Sequence, residues 1–204
     1  MAYATVVNRL LFLTGNIGKL AEARHFFEPL GYQVEQFLID GEVPIVIEPQ
    51  SDSLKDVATA KIEQAKAYLN QSGQNASILV EDAGLFIDEL NGFPGVNSAS
   101  VLNQIGLSGV LNLMSEITHR GAEFRACAVL FTGEELVFGV GVCRGTITSE
   151  TLGESGFGYD PIFSPDGEAS GRTFGQMSRP EKEDFSHREK ALQSIKKQLD
   201  VLRR

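Results

Sequence analysis

Four stretches of this sequence set polar or charged side chains beside flexible backbone. In Thr14-Gly15-Asn16-Ile17-Gly18-Lys19 an apolar run breaks into glycines and a lysine. Glycines let backbone N–H groups turn toward an anion, a following helix offers its positive N-terminus, and Lys19 adds a full charge. It is not a P-loop, whose glycines stand five apart with a hydroxyl after the lysine. Here Gly15 and Gly18 stand three apart and Leu20 follows Lys19. The stretch alone leaves two readings: a phosphate cradle of another design, or a plain strand–helix turn with Lys19 in solvent.

The second stretch, Val80-Glu81-Asp82-Ala83-Gly84, puts two adjacent carboxylates after an apolar run. At a strand's end one of them can enter a cleft and hold a hard cation or take a proton from water. The competing reading is that Asp82 caps a turn toward Gly84. Glu48 is a possible second metal ligand or a plain surface charge. In Ser155-Gly156-Phe157-Gly158-Tyr159-Asp160-Pro161 two aromatics flank a glycine. They either offer a stacking face for a base or plug the core beneath the loop. The fourth stretch runs from Glu181 to Arg188. Ser186 and Glu189 form a capping box for a helix start, which does not explain why His187 and Arg188 come next.

These groups need a scaffold, and the chain has the material for one. With 204 residues, 42% hydrophobic and 22% charged, it matches a soluble domain with a sizeable core. Its formal net charge of −9 repels nucleic-acid backbones, so no nucleic acid is expected as partner. A small polyphosphate remains open, because a local basic pocket or a divalent cation overrides the global charge. The two cysteines, Cys127 and Cys143, have neither a C-x-x-C partner nor metal-ligand spacing, and read as buried free thiols. The first residues lack the pattern of a cleaved leader, and no run approaches the ~18 apolar residues of a membrane span. A cytoplasmic protein without membrane contact is expected. With no G-x-S-x-G elbow, a triad hydrolase is not expected either.

Periodicity predicts a strand over Arg9–Thr14, a helix over Lys19–Phe27 and a strand over Tyr32–Ile39. Asp40–Asp52 reads as a loop with one short strand near Ile45–Ile47. Ser53 caps a helix whose apolar face runs from Leu54 to Leu69. A short strand, Ser77–Val80, ends at Glu81-Asp82. Ser98–Ile117 reads as helical with a break near Gly106–Ser108. Phe124–Thr132 and Glu135–Arg144 form a hairpin about Gly133-Glu134, and Gly145–Thr151 continues in β-type residues. Ser186–Leu202 closes the chain as a helix. The order predicts α/β with a mixed, elongated central sheet flanked by helices.

Taken in order, TGNIGK, EPQSDSL leading to Lys61, VEDAGL with GFPGV, GFGYDPIF and EKEDFSHR resemble the inosine triphosphate pyrophosphatase family. The likeness runs from about residue 10 to about 200. It implies one bilobed domain over 1–204, with the active site in the cleft between the lobes, and a homodimer. It also implies Mg²⁺-dependent hydrolysis of non-standard purine nucleoside triphosphates (ITP, dITP, XTP) to the monophosphate and pyrophosphate. Thr14, Gly15, Asn16, Lys19 and Lys61 would grip the phosphates, with Ala83 beside them. Glu48 and Asp82 would hold magnesium, with Asp82 as general base. The loop of Phe157, Gly158, Tyr159 and Asp160 would enclose the base. Lys182, His187 and Arg188 would approach its oxygen-bearing edge. The sequence departs from the family pattern at Ala83, where many members carry Ser or Thr, and at Asn97, often Tyr. Ala99 and Ser100 supply no Lys or Arg, so one phosphate contact is expected to be missing or provided elsewhere. Rival readings are a pyrophosphatase for modified pyrimidine or methylated nucleotides, a nucleotide-binding protein with weak catalysis, and a structural or interaction protein.

Overall fold

The computed structural model describes residues 8–202. The opening residues, on which the leader expectation partly rests, lie outside that range. Six strands form one sheet: β1 (Asn8–Phe12), β2 (Tyr32–Gln36), β3 (Ser77–Ile87), β4 (Gly121–Phe131), β5 (Leu136–Ile147) and β6 (Phe163–Pro165). Their spatial order is β2-β1-β3-β4-β5-β6. β1 pairs in parallel with β2 and β3, and the remaining pairs are antiparallel. The mixed α/β class read from the sequence is the one observed. The helices are α1 (Ile17–Phe27), α2 (Leu54–Ser72), α3 (Ser98–Leu113), α4 (Arg179–Glu183) and α5 (His187–Leu202). None of them is long and apolar enough to cross a membrane.

The helices cover the two faces of the sheet unequally. On one face α1 and α5 pack Leu20, Phe26, Phe27, Leu192 and Ile195 onto Leu10, Phe12, Leu79 and Ala126. On the other, α2 packs Ala58, Ile62 and Ala65 onto Leu11, Ile78, Val80 and Val129. A third cluster joins Val101 and Val110 of α3 to Leu85, Ile87 and Phe124. Burying apolar faces of this size is the main stabilising term, at about 25 cal/mol per Å².

The largest departure from the sequence reading concerns β3. It was expected to stop at Val80 but continues through Glu81, Asp82 and Gly84 to Ile87, paired residue for residue with β4. A partner strand long enough to satisfy the backbone carries the strand on through its polar residues. No turn is left for Asp82 to cap. β1 pairs with β3 only as far as Phe12↔Leu79. Beyond that point the β1-side edge of β3 has no strand partner, save one isolated bridge from Phe86 to Pro94.

Smaller differences have local causes. β2 ends at Gln36, and Ile45–Ile47 forms no strand. Instead Gln64 and Tyr68 of α2 bond the backbone of Ile47 and Ile45. β5 ends at Ile147 rather than Thr151, where Thr148 turns to bond Ile162. α3 ends at Leu113 and kinks at Gly106, whose φ of 66° leaves the helical region. The break was read correctly. β6 and α4 fall where the sequence reading predicted no element. Cys127 and Cys143 are free and buried, and burial pushes both thiols up to about 11.

Candidate active site

The Thr14–Lys19 turn joins β1 to α1 and is built from its own side chains. Asn16 caps α1, its Oδ1 accepting from the Lys19 N–H at 3.1 Å, and Thr14 Oγ1 accepts from the Asn16 N–H at 3.1 Å. Gln36 Nε2 donates to the Thr14 carbonyl at 2.8 Å, tying the turn to β2. Thr14 and Asn16 thus shape the turn, and the positive end of α1 faces the free edge of β3. A Cβ on Gly18 would stand 2.5 Å from the Phe157 ring, so a loop some 140 residues away packs onto this helix start.

Successive residues of a strand point to opposite faces. Glu81 therefore faces α1 and α5, and Asp82 faces α2. Glu81 Oε2 lies 2.7 Å from Lys19 Nζ, and Oε1 accepts from Arg188 Nε at 3.1 Å. Burial works to raise the Glu81 pKa, yet Arg188 and Lys19 overcome it and hold the group down at about 2.

On the other face Lys61 Nζ lies 2.6 Å from Asp82 Oδ1 and 2.7 Å from Glu48 Oε1. Burial works against the Lys61 charge, but the two carboxylates prevail and raise its pKa. Burial raises the Asp82 pKa in spite of Lys61. Asp82 Oδ2 is buried without a hydrogen-bond partner. An orphaned carboxylate oxygen beside a second carboxylate is a hard, all-oxygen donor set of the kind Mg²⁺ takes. Among the described residues no group of three or more His, Cys, Asp or Glu side chains could hold a metal ion. A cation at Glu48 and Asp82 would therefore take no more than these two side chains of that kind and complete its shell with other oxygen donors, such as water or substrate.

A cavity of about 490 Å³ opens on the Glu81 side. Gly15, Asn16 and Lys19 line one part of it, and Ala83, Gly84 and Ala99 another. Loop 157–160 and Lys182, His187 and Arg188 complete the wall. Thr14, Glu48, Lys61 and Asp82 do not line it. The expected site residues thus gather in two groups, one on each face of β3.

Lys182, His187 and Arg188 are buried rather than solvated, so the reading of this run as an exposed helix start is set aside. Only half of the expected capping box forms: Ser186 Oγ accepts from the Glu189 N–H at 3.3 Å, while the Ser186 N–H bonds the Lys182 carbonyl and the Glu189 carboxylate accepts from Gln193. The His187 ring stacks on Phe124 at 4.7 Å, and its Nδ1 has no partner. Burial holds its pKa well below the usual value, helped by Arg188, so the ring is neutral. Lys182 Nζ donates to Asp160 Oδ2 at 2.6 Å and lies over the Phe157 ring at 4.6 Å. Asp160 Oδ2 also accepts from the Phe157 N–H at 2.8 Å, while burial raises its pKa. Tyr159 is an anchor as well as a lining residue, its hydroxyl donating to the Ser98 carbonyl at 2.8 Å.

Glu22 escaped the sequence reading. It accepts from Arg188 Nη1 and, at 3.4 Å, from Lys182. Its position one turn after Lys19 on α1 was a usable signal, since residues three apart share a helix face.

A model of the Ham1 family matches residues 10–198. A dITP/XTP pyrophosphatase of Methanopyrus kandleri is 43% identical over 194 residues, covering 91% of this chain and 93% of the relative. One from Thermococcus kodakarensis is 40% identical, covering 92% and 95%. The solved structure of the Staphylococcus aureus Ham1 protein superposes with a TM-score of 0.78 at 27% identity, covering 95% of this chain and 99% of that one. The resemblance read from five short motifs therefore extends over nearly the whole sequence, and this chain belongs to the Ham1 family.

Proposed function

We propose that this protein hydrolyses non-standard purine nucleoside triphosphates (dITP, XTP and ITP) between the α- and β-phosphates, giving the monophosphate and pyrophosphate. The observation that carries this reading is the division of labour across β3. Glu48, Lys61 and Asp82 meet on one face, beside the unpaired strand edge, and a nucleotide-sized cavity with buried cations opens on the other. A triphosphate lying over that edge reaches both.

Lys19 and the amides opening α1 bind phosphate oxygens, and Lys61 neutralises charge growing on the leaving pyrophosphate. Asp82 orients the attacking water and takes its proton, a role that its raised pKa favours. Glu48 and Asp82 would hold Mg²⁺, which when bound supplies Lewis-acid neutralisation of the phosphate oxygens. Lys61 contacts Oε1 of Glu48 and Oδ1 of Asp82, which leaves Asp82 Oδ2 free for the cation.

Phe157 offers a stacking face, while Arg188, Lys182 and neutral His187 meet the base edge. A 6-carbonyl accepts from such donors. The 6-amino group of adenine confronts them with another donor and leaves groups unpaired, at about 1–3 kcal/mol each. Lys19, Lys182 and Arg188 are the lysine and arginine side chains lining the cavity, and Ala83 and Ala99 add none on the α3 side. Two lobes flanking this cleft, a homodimer and a cytoplasmic setting belong to the same reading. The family resemblance supports all three, and the free thiols support the last.

Incubation with dITP and Mg²⁺ followed by product analysis tests the proposal. Release of dIMP and pyrophosphate is expected, whereas dIDP and phosphate would overturn the cleavage position. A preference for dUTP or methylated triphosphates would favour the neighbouring substrate class.

A further inference from the structure

The carboxylate of Glu81 gives one oxygen to each end of the cavity. Oε2 meets Lys19, beside the phosphate turn, and Oε1 meets Arg188, at the base end. Its side chain is 1% exposed and that of Arg188 3%, whereas Lys19 is 19% exposed. Of the three, only Lys19 has room to turn toward a ligand. We propose that Glu81 is a positioning residue coupling the two ends of the site, so that its hold on Arg188 tightens when a phosphate chain draws Lys19 away.

This rests on the proposed nucleotide site and deepens it. Without ligand, the single negative charge of Glu81 is shared between two cations. A pyrophosphate group carries several charges and competes with Glu81 for the Lys19 ammonium. Once Lys19 turns, the whole Glu81 charge acts on Arg188, in surroundings where water screens it poorly. Arg188 is also held by Glu22, so its guanidinium gains a second firm anchor rather than a first one. A donor locked from two sides discriminates a carbonyl from an amino group better than a loose one. The base would then be read most stringently on molecules that bring a phosphate tail. Linkage makes the effect reciprocal, since a bound base must raise affinity for the tail by the same factor. Glu22 touches the base-end cations but not Lys19, so it anchors without coupling.

The test measures the affinity of inosine, by calorimetry without metal, in the presence and absence of saturating inorganic pyrophosphate. In the unaltered protein pyrophosphate should tighten inosine roughly fivefold or more, within the usual span of coupling energies. Glu81→Gln should bring that factor to about one. Glu22→Gln should weaken inosine yet keep the factor, which a merely structural role for Glu81 does not predict. Lys19→Gln should bind inosine alone as tightly as the unaltered protein binds it with pyrophosphate. If Glu81→Gln does not fold, Lys19→Gln decides. A factor of one in the unaltered protein, an unchanged factor in Glu81→Gln, or unchanged inosine affinity in Lys19→Gln overturns the coupling. Failure of the unaltered protein to release pyrophosphate from dITP would overturn the proposed function instead.

Discussion

Glu81 and Asp82 are consecutive in the chain and serve opposite faces of the sheet. Glu81 holds Lys19 and Arg188 beside the cavity, while Asp82 holds Lys61 beneath α2. The strand's two-residue repeat turns one dipeptide into two separate electrostatic centres.

Removing the Asp82 charge should stop chemistry without abolishing binding. Asp82→Asn is expected to lower pyrophosphate release from dITP by about 10²–10⁴-fold, the usual contribution of a general base. Nucleotide binding, followed by fluorescence, should persist. Activity within tenfold of the unaltered protein would exclude Asp82 as the base.

Lys61 is the counter-ion between Glu48 and Asp82, so its loss should make the fold lean on a cation. Lys61→Met is expected to lose roughly 1–3 kcal/mol of stability in EDTA, the scale of charged hydrogen bonds. Millimolar Mg²⁺ should restore more of the melting temperature in the variant than in the unaltered protein. Equal Mg²⁺ shifts in both would argue against a cation at this pair.

Gly84 and Gly15 should respond differently to alanine. A Cβ on Gly84 would stand 2.0 Å from the Gly95 carbonyl oxygen, while one on Gly15 meets nothing within 4 Å. Gly84→Ala should cost about 1–3 kcal/mol or more, and Gly15→Ala should stay within about 0.5 kcal/mol, read from urea midpoints. Equal midpoints would mean that the loop after β3 yields freely.

His187 should make stability fall with acid. Its folded pKa is depressed by burial, so the unfolded chain takes up a proton first, near pH 6.5. The stability tied to neutral His187 is complete above that pH. It is lost as pH falls toward the folded value, at about 1.4 kcal/mol per pH unit. His187→Gln should show a shallower decline between pH 6.5 and 5, and parallel curves would place the ring in water.

Much of the site was legible because it is local. Ser53 as cap, the hairpin at Gly133-Glu134 and the kink at Gly106 all depend on residues within a few positions of one another. The ordered motifs were legible because each is a contiguous string. Asp82 was misplaced at a strand end because strand length depends on a partner, and β4 lies some 45 residues further along.

The sequence by itself determined the family, the four longer helices, the caps at Ser53 and Ser186, and the residue types the chemistry needs. Those follow from spacing and short-range bonding. Only the tertiary structure decided which cation each acid would hold. The pairs Lys19–Glu81, Arg188–Glu81 and Arg188–Glu22 join residues 62, 107 and 166 positions apart. No local preference specifies such pairs. They exist because α1 and α5 pack on the same face of β3, and burial there leaves each charge nowhere to go but to another.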